Sequence, residues 1–228
     1  MSRSNKPSPA QTSDSGTSKI TLPLAERAYI DIKRMILSHE LPPGSQINVA
    51  QLSEHLNLGR NPIHMAIHRL DREGLVEILP RKGILVKAET LNSFLDLIQS
   101  RLLIEPWLAG QAAEYATAEQ LLTLRELVEA GQAYQMQHNR TGAMEIDRLF
   151  HRALYQMANN QILADFAEQL LDRSLLLWLR PQFDRPDSQN ADDLEALYDA
   201  VASGDKIAAT QAMQKHIEAI QQNFMKRA

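Results

Sequence analysis

The sequence predicts a mainly α protein: an N-terminal winged helix-turn-helix followed by a C-terminal all-α helical bundle of about six helices. Three observations carry the prediction. Apolar residues recur at helical spacing through most of the chain after residue 24. One pair of short β-branched runs brackets Pro80-Arg81-Lys82-Gly83. No credible strand follows residue 91. The 228 residues, 44% hydrophobic and 23% charged, suit one or two compact domains. Cysteine is absent, which excludes disulfides, zinc–thiolate sites and cysteine nucleophiles and fits a cytoplasmic setting. The longest apolar run, Leu175–Leu179, is far shorter than the roughly 18–20 residues of a membrane helix. The N-terminus has no apolar block of the secretory kind.

Composition divides the chain in three. Residues 1–20 are rich in Ser and hold one large aliphatic side chain, Ile20, too little apolar area to offset the entropy of ordering, so they are expected to form a disordered tail. Residues 21–89 form the predicted winged helix-turn-helix and residues 90–228 the bundle. Over 22–90 there are nine Lys/Arg against eight Asp/Glu; over 91–228 there are twelve against nineteen. The net charge of −4 excludes a uniformly basic nucleic-acid coat but leaves room for a local basic face.

Each element has its own signal. Leu24, Ala28, Ile32 and Met35/Ile36 give a first helix, which Pro42-Pro43-Gly44 ends. Asn48 is placed to cap a short helix with Leu52 and Leu56 inward, and Asn57-Leu58-Gly59 reads as a tight turn. Asn61-Pro62 reads as a helix start, with Asn as the cap and Pro at the first helical position. Ile63, Ala66, Ile67 and Leu70 form that helix's buried stripe, and Gly74 ends it. Leu75–Leu79 and Ile84–Ala88 form a hairpin with a basic tip. Bundle helices are expected near 91–115, 117–138, 142–158, 161–180, 191–203 and 205–226. Thr117 and Gln120 supply a capping box, and Pro106 is expected to kink the first bundle helix.

Two helices about a short turn, followed by a basic hairpin, can dock on DNA. The second helix fits the major groove with its N-terminal residues nearest the bases. Those residues are Arg60, Asn61 and His64. Arg60 can fork onto guanine or clamp a phosphate; Asn61 can read a base edge or serve only as the cap. Arg81 and Lys82 at the wing tip can reach the adjacent groove. Arg69 and Arg72 suit backbone contacts or plain surface charge. His64 and His68 share a helix face at metal-ligand spacing, with no further ligand nearby. The same elements also occur in modules that bind only protein.

The stretch from Tyr29 to Lys87 resembles the DNA-binding domain of GntR-type bacterial transcription regulators. The resemblance rests on Ile36, Leu41-x-Pro43-Gly44, Leu52-Ser53-x-x-Leu56, Arg60-x-Pro62-Ile63, Leu70, Glu73-Gly74-Leu75-Val76 and Arg81-x-Gly83-x-x-Val86. It departs from the usual family pattern in having Asn61 for Thr and His64 for a second Arg, which puts the operator sequence, not the fold, in question.

In the bundle, Asp147 and His151 lie one turn apart on one face, and His216 lies on the last helix. A carboxylate and imidazoles converging from different helices is how bundles build metal sites; such a pair is also a common structural hydrogen bond. Residues 96–220 resemble the FCD branch of the same family, through Arg101-x-x-x-Glu105, Ala112-Ala113, Asp147-x-x-Phe150-His151, Asn160-x-x-Leu163, Ala200-Val201-x-x-Gly204-Asp205, Ala208 and His216. The resemblance implies an effector-binding and dimerisation domain with a divalent metal held by one Asp and three His. Asp147, His151 and His216 match, while Leu194 stands where the third His belongs; Glu195 is turned about 100° away. Two outcomes stay open: a three-ligand site for Zn, Ni or Mn, or a metal-free and more apolar pocket. Arg101, Glu105 and Arg148 are the effector-binding candidates, with Arg101 placed to fork onto a carboxylate or to pair with Glu105. Trp107, Trp178 and the Leu175–Leu179 run suit core or dimer interface rather than a ligand cage.

These readings converge on a ligand-responsive DNA-binding regulator, a repressor in the usual sense of the family and not an enzyme. It acts as a homodimer on a palindromic duplex operator, binds a small organic-acid effector and has no membrane partner. The alternatives are a metal-dependent hydrolase centred on Asp147/His151/His216 and a winged-helix scaffold that binds protein.

Overall fold

The computed structural model describes residues 22–178 and 188–225. The 1–20 tail, Leu179 and the side chain of Trp178 fall outside the described residues. The head comprises α1 (Leu24–Leu37), β1 (Gln46–Ile47), α2 (Val49–His55), α3 (Arg60–Arg72), β2 (Val76–Leu79) and β3 (Gly83–Val86). The strands form one antiparallel sheet in the order β1-β3-β2, with Ile47 opposite Ile84 and Ile78 opposite Ile84 on the other side. The hairpin β2–β3 stands as expected, closed by Arg81 and Gly83 at positive φ. β1 is an addition: two residues carry no period of alternation that a sequence could show.

Local chemistry explains most helix ends. The Asn48 side chain accepts from the backbone N–H groups of Ala50 and Gln51 at 2.9 and 3.2 Å, which starts α2. α3 corrects the expectation. Its N-cap is Gly59, which offers no side chain, so Asn61 is the second helical residue and Pro62 the third. Proline is tolerated there because first-turn N–H groups have no partner within the helix. Ile63, Ala66, Ile67 and Leu70 are buried as the stripe predicts, against Ile32 and Ile36 of α1.

The bundle comprises α4 (Leu91–Tyr115), α5 (Ala118–Met136), α6 (Arg140–Met157), α7 (Gln161–Trp178), α8 (Ser188–Ala202) and α9 (Lys206–Met225). Among the described residues it contains no strand. Thr117 and Gln120 make the expected capping box, and Thr90 with Ser93 makes a second one that starts α4. α4 continues through Pro106. It packs most extensively on α9, and Phe94 stacks on Phe224 with ring centroids 3.9 Å apart. The core unites Leu108, Leu124, Phe150, Leu154, Leu197 and Ile217 from five helices.

Head and bundle meet along the C-terminal half of α7. Leu176 is buried in the core of the head rather than that of the bundle. Arg173 Nε donates to the buried Glu89 at 2.8 Å. Gly74, at φ +74°, lies so close to Arg173 that a Cβ there would come within 3.2 Å of its side chain. Glycine therefore serves both the helix end and the junction. Lys33 of α1 reaches Asp172 at 2.6 Å.

Candidate functional site

The first turn of α3 is presented outward. Arg60, Asn61 and His64 are exposed, while Ile63 between them anchors the helix in the core of the head. With Gly59 as cap, no side chain occupies the first-turn N–H groups, which is the arrangement that suits a phosphate. Arg81 and Lys82 are exposed at the hairpin tip. Arg69 is used otherwise. Its guanidinium lies 3.5 Å from the centroid of the Tyr29 ring and pairs with Glu26 at 2.8 Å and Glu73 at 3.1 Å. These contacts bind α3 to α1, while the Arg69 side chain stays 41% exposed. His64 and His68 are both exposed.

Within the bundle, Asp147 and His151 of α6 meet His216 of α9. One ligand atom from each lies within 4.8 Å of the others, and both histidines are buried. The Nε2 atoms of His151 and His216 stand 3.2 Å apart. Two imidazole nitrogens on one tetrahedral zinc, each at about 2.0–2.1 Å, are roughly 3.3 Å apart, so the spacing fits a shared metal as well as an N–H···N bond. Glu105 of α4 decides which His151 nitrogen faces the cluster. Its Oε2 is 3.2 Å from His151 Nδ1, which assigns the proton to Nδ1 and directs the Nε2 lone pair toward His216, the carboxylate–histidine arrangement common behind metal ligands.

Glu105 is in turn held by Arg101, through Nε and through Nη2 to Oε2 at 3.2 Å. Arg101 is 1% exposed and Glu105 fully buried. Burial by itself would raise the Glu105 carboxyl; Arg101 and then His151 outweigh it and hold it at about 2. The Arg101 guanidinium is held above its ordinary value by the same pairing, against the opposite pull of burial. Tyr155, one turn beyond His151, places its hydroxyl 3.2 Å from His151 Nδ1, and burial with Glu105 nearby raises it well above the usual phenol value. The sequence reading missed Tyr155 although its signal was present: Asp147, His151 and Tyr155 recur at four-residue spacing on one face.

Arg148 is not brought to this cluster. It pairs with Glu145 at 2.7 Å and lies 3.5 Å from Asp172, beside a cavity of about 500 Å³ between α6 and α1. A neighbour in sequence is turned about 100° on a helix, so Asp147 and Arg148 serve different sides of α6. Leu194 is 2% exposed in the bundle core, near Gly131. Glu195 is engaged by Arg125 at 3.1 Å and Gln132 at 2.6 Å on α5 and does not replace the missing imidazole.

Comparisons with known proteins cover both the head and the bundle. Residues 24–86 match "Bacterial regulatory proteins, gntR family" and residues 96–219 match the FCD domain. An HTH-type transcriptional regulator from the TAR-I ttuE–ttuC' intergenic region of Agrobacterium vitis is 31% identical over 134 residues, 58% of this chain and 78% of that protein. The transcriptional repressor RspR of Escherichia coli K12 is 25% identical over 209 residues, covering 89% of this chain and 90% of RspR. The solved structure of E. coli McbR/YncC superposes with a TM-score of 0.78 over 91% of this chain and all of that one, at 21% identity.

Proposed function

Because this chain belongs to the FCD-type GntR family of bacterial transcriptional regulators, we propose that its DNA binding is controlled by a small organic acid, and by a divalent metal, bound in the bundle. That the chain is a DNA-binding transcriptional regulator and not an enzyme follows from the family. The hydrolase and protein-scaffold readings are set aside with it. The finer reading is carried by the convergence of half-buried Asp147 with the buried His151 and His216 inside the domain joined to the head.

Asp147, His151 and His216 are the metal ligands in this reading, for Zn, Ni or Mn. Bound there, the ion supplies a Lewis-acidic positive charge for effector carboxylate oxygens. Glu105 and Tyr155 hold the His151 ring, and Arg101 fixes Glu105, so Arg101 contacts an effector only if the ligand competes for its guanidinium. Leu194 closes one side with hydrocarbon and leaves three protein ligands, so further positions fall to water or effector oxygens. In the head, Arg60, Asn61 and His64 face the major groove, and Arg81 and Lys82 at the hairpin tip reach the adjacent groove.

The test is metal content. Asp147→Ala is expected to lower bound zinc from about one per chain to near zero. The thermal stabilisation by zinc should vanish with it, a stabilisation that scales as RT ln(1 + [L]/Kd). Unchanged stoichiometry in that variant would overturn the ligand set.

The protein is further proposed to act as a homodimer on a palindromic operator in the bacterial cytoplasm, as a repressor. Leu103, 81% exposed, and Trp107, 42% exposed, lie one turn apart on the outer side of α4. Paired apolar side chains in water favour a covering surface. Leu103→Asp is expected to convert the dimer to a monomer in analytical ultracentrifugation; an unchanged dimer places the interface elsewhere.

A further inference from the structure

The C-terminal half of α7 carries three attachments for the head. Arg173 and Leu176 face the head, through Glu89 and through the head's core. Asp172 differs because it faces both domains. It takes Lys33 of α1 at 2.6 Å and lies 3.5 Å from Arg148 Nη1 of α6. Asp172 is fully buried and Lys33 is 8% exposed. A carboxylate in such a place must keep a cation beside it.

Lys33 has other partners within reach: the Tyr29 hydroxyl at 2.8 Å, Glu73 at 3.2 Å and Glu168 at 4.0 Å, while Glu168 also holds Arg152 at 3.0 Å. The cluster can therefore re-pair without leaving a bare charge, which is what a two-position element needs. The cavity of about 500 Å³ beside it separates α1 from α6, so close packing does not oppose a shift of α6 there. Arg148 directly follows Asp147 and sits one turn before His151, so one stretch of α6 touches both the buried cluster and Asp172.

We propose that Lys33, Asp172 and Arg148 form the joint through which occupancy of the Asp147/His151/His216 cluster repositions the DNA-reading head. This rests on the regulatory reading above and names its route. A ligand drawing on Asp147 displaces α6; Arg148 carries the displacement to Asp172; Asp172 redistributes Lys33 and thereby α1, on which α3 packs. These are positioning residues and touch neither DNA nor metal.

The test uses full-length protein and a duplex selected by the wild type from random sequence. Without metal, Asp172→Asn is expected to weaken operator binding about tenfold. The slope of log affinity against log salt should stay that of the wild type, because no phosphate contact is lost. Lys33→Met, which leaves Asp172 with Arg148, repeats this arm should Asp172→Asn fail to fold. Affinity within twofold of wild type in the variant that folds overturns the joint. In the second arm zinc ion is added. Wild type and Arg148→Gln are expected to bind equal zinc, but only the wild type should change its operator affinity. An equal change in both overturns the joint and leaves the metal reading intact. Absence of bound zinc in both overturns the metal reading, and the first arm still decides the joint.

Discussion

Replacing Arg101 with methionine is expected to destabilise the protein by about 3–5 kcal/mol, the cost of breaking a buried ion pair by removing one partner. The reason lies in what remains. Glu105 is fully buried, and its low carboxyl value reflects Arg101 before His151. Without the guanidinium, the charge keeps only one imidazole and the Tyr155 hydroxyl. The measurement is urea unfolding, in which the midpoint should fall at unchanged slope. Arg101→Met with Glu105→Leu should recover most of the loss, because an apolar replacement of both partners is near neutral. A loss below about 1 kcal/mol in the single variant, the range of exposed pairs, would show that Glu105 does not depend on Arg101. The guanidinium would then be available to an effector. The double variant also separates folding from sensing, since it should fold and yet hold His151 less firmly.

What the sequence shows, and what it hides, follows from range. Helix starts set by a side chain three residues from its target are legible: Asn48 caps α2 and Thr117 pairs with Gln120. The start of α3 misleads because Asn61-Pro62 satisfies the composition rule for a cap and first position. Gly59 takes the cap instead, and the shift carries Asn61 from a structural role to an exposed one. Spacing placed Asp147 and His151 together, whereas His216, 65 residues away from His151, has no local signal tying it to them. Spacing could not assign Arg148, since only the packing of α6 against α7 decides which side of the helix meets Asp172. Lys33 and Asp172 carry no local signal at all. One reads as a surface lysine on an amphipathic helix and the other as a polar residue in an apolar one. Their meaning arises only when α1 docks on α7.

Arg60→Ala is expected to weaken operator binding by about 1–3 kcal/mol, roughly five- to more than a hundredfold, the range of one good base contact. Arg60 opens α3, is exposed, and stands beside N–H groups that no side chain caps. Its removal should leave stability within about 0.5 kcal/mol, as for surface positions generally, so lost binding cannot be assigned to unfolding. The comparison variant is Arg72→Ala at the far end of the same helix, also exposed. It should weaken all duplexes alike and reduce the salt slope by about one, the behaviour of a phosphate contact. Arg60→Ala should instead relax the preference at one base position of each half-site. Equal losses on selected and unrelated duplexes would make Arg60 a phosphate clamp. Undiminished operator affinity would remove it from the interface, leaving Asn61 and His64 to carry the reading of bases at this end of α3.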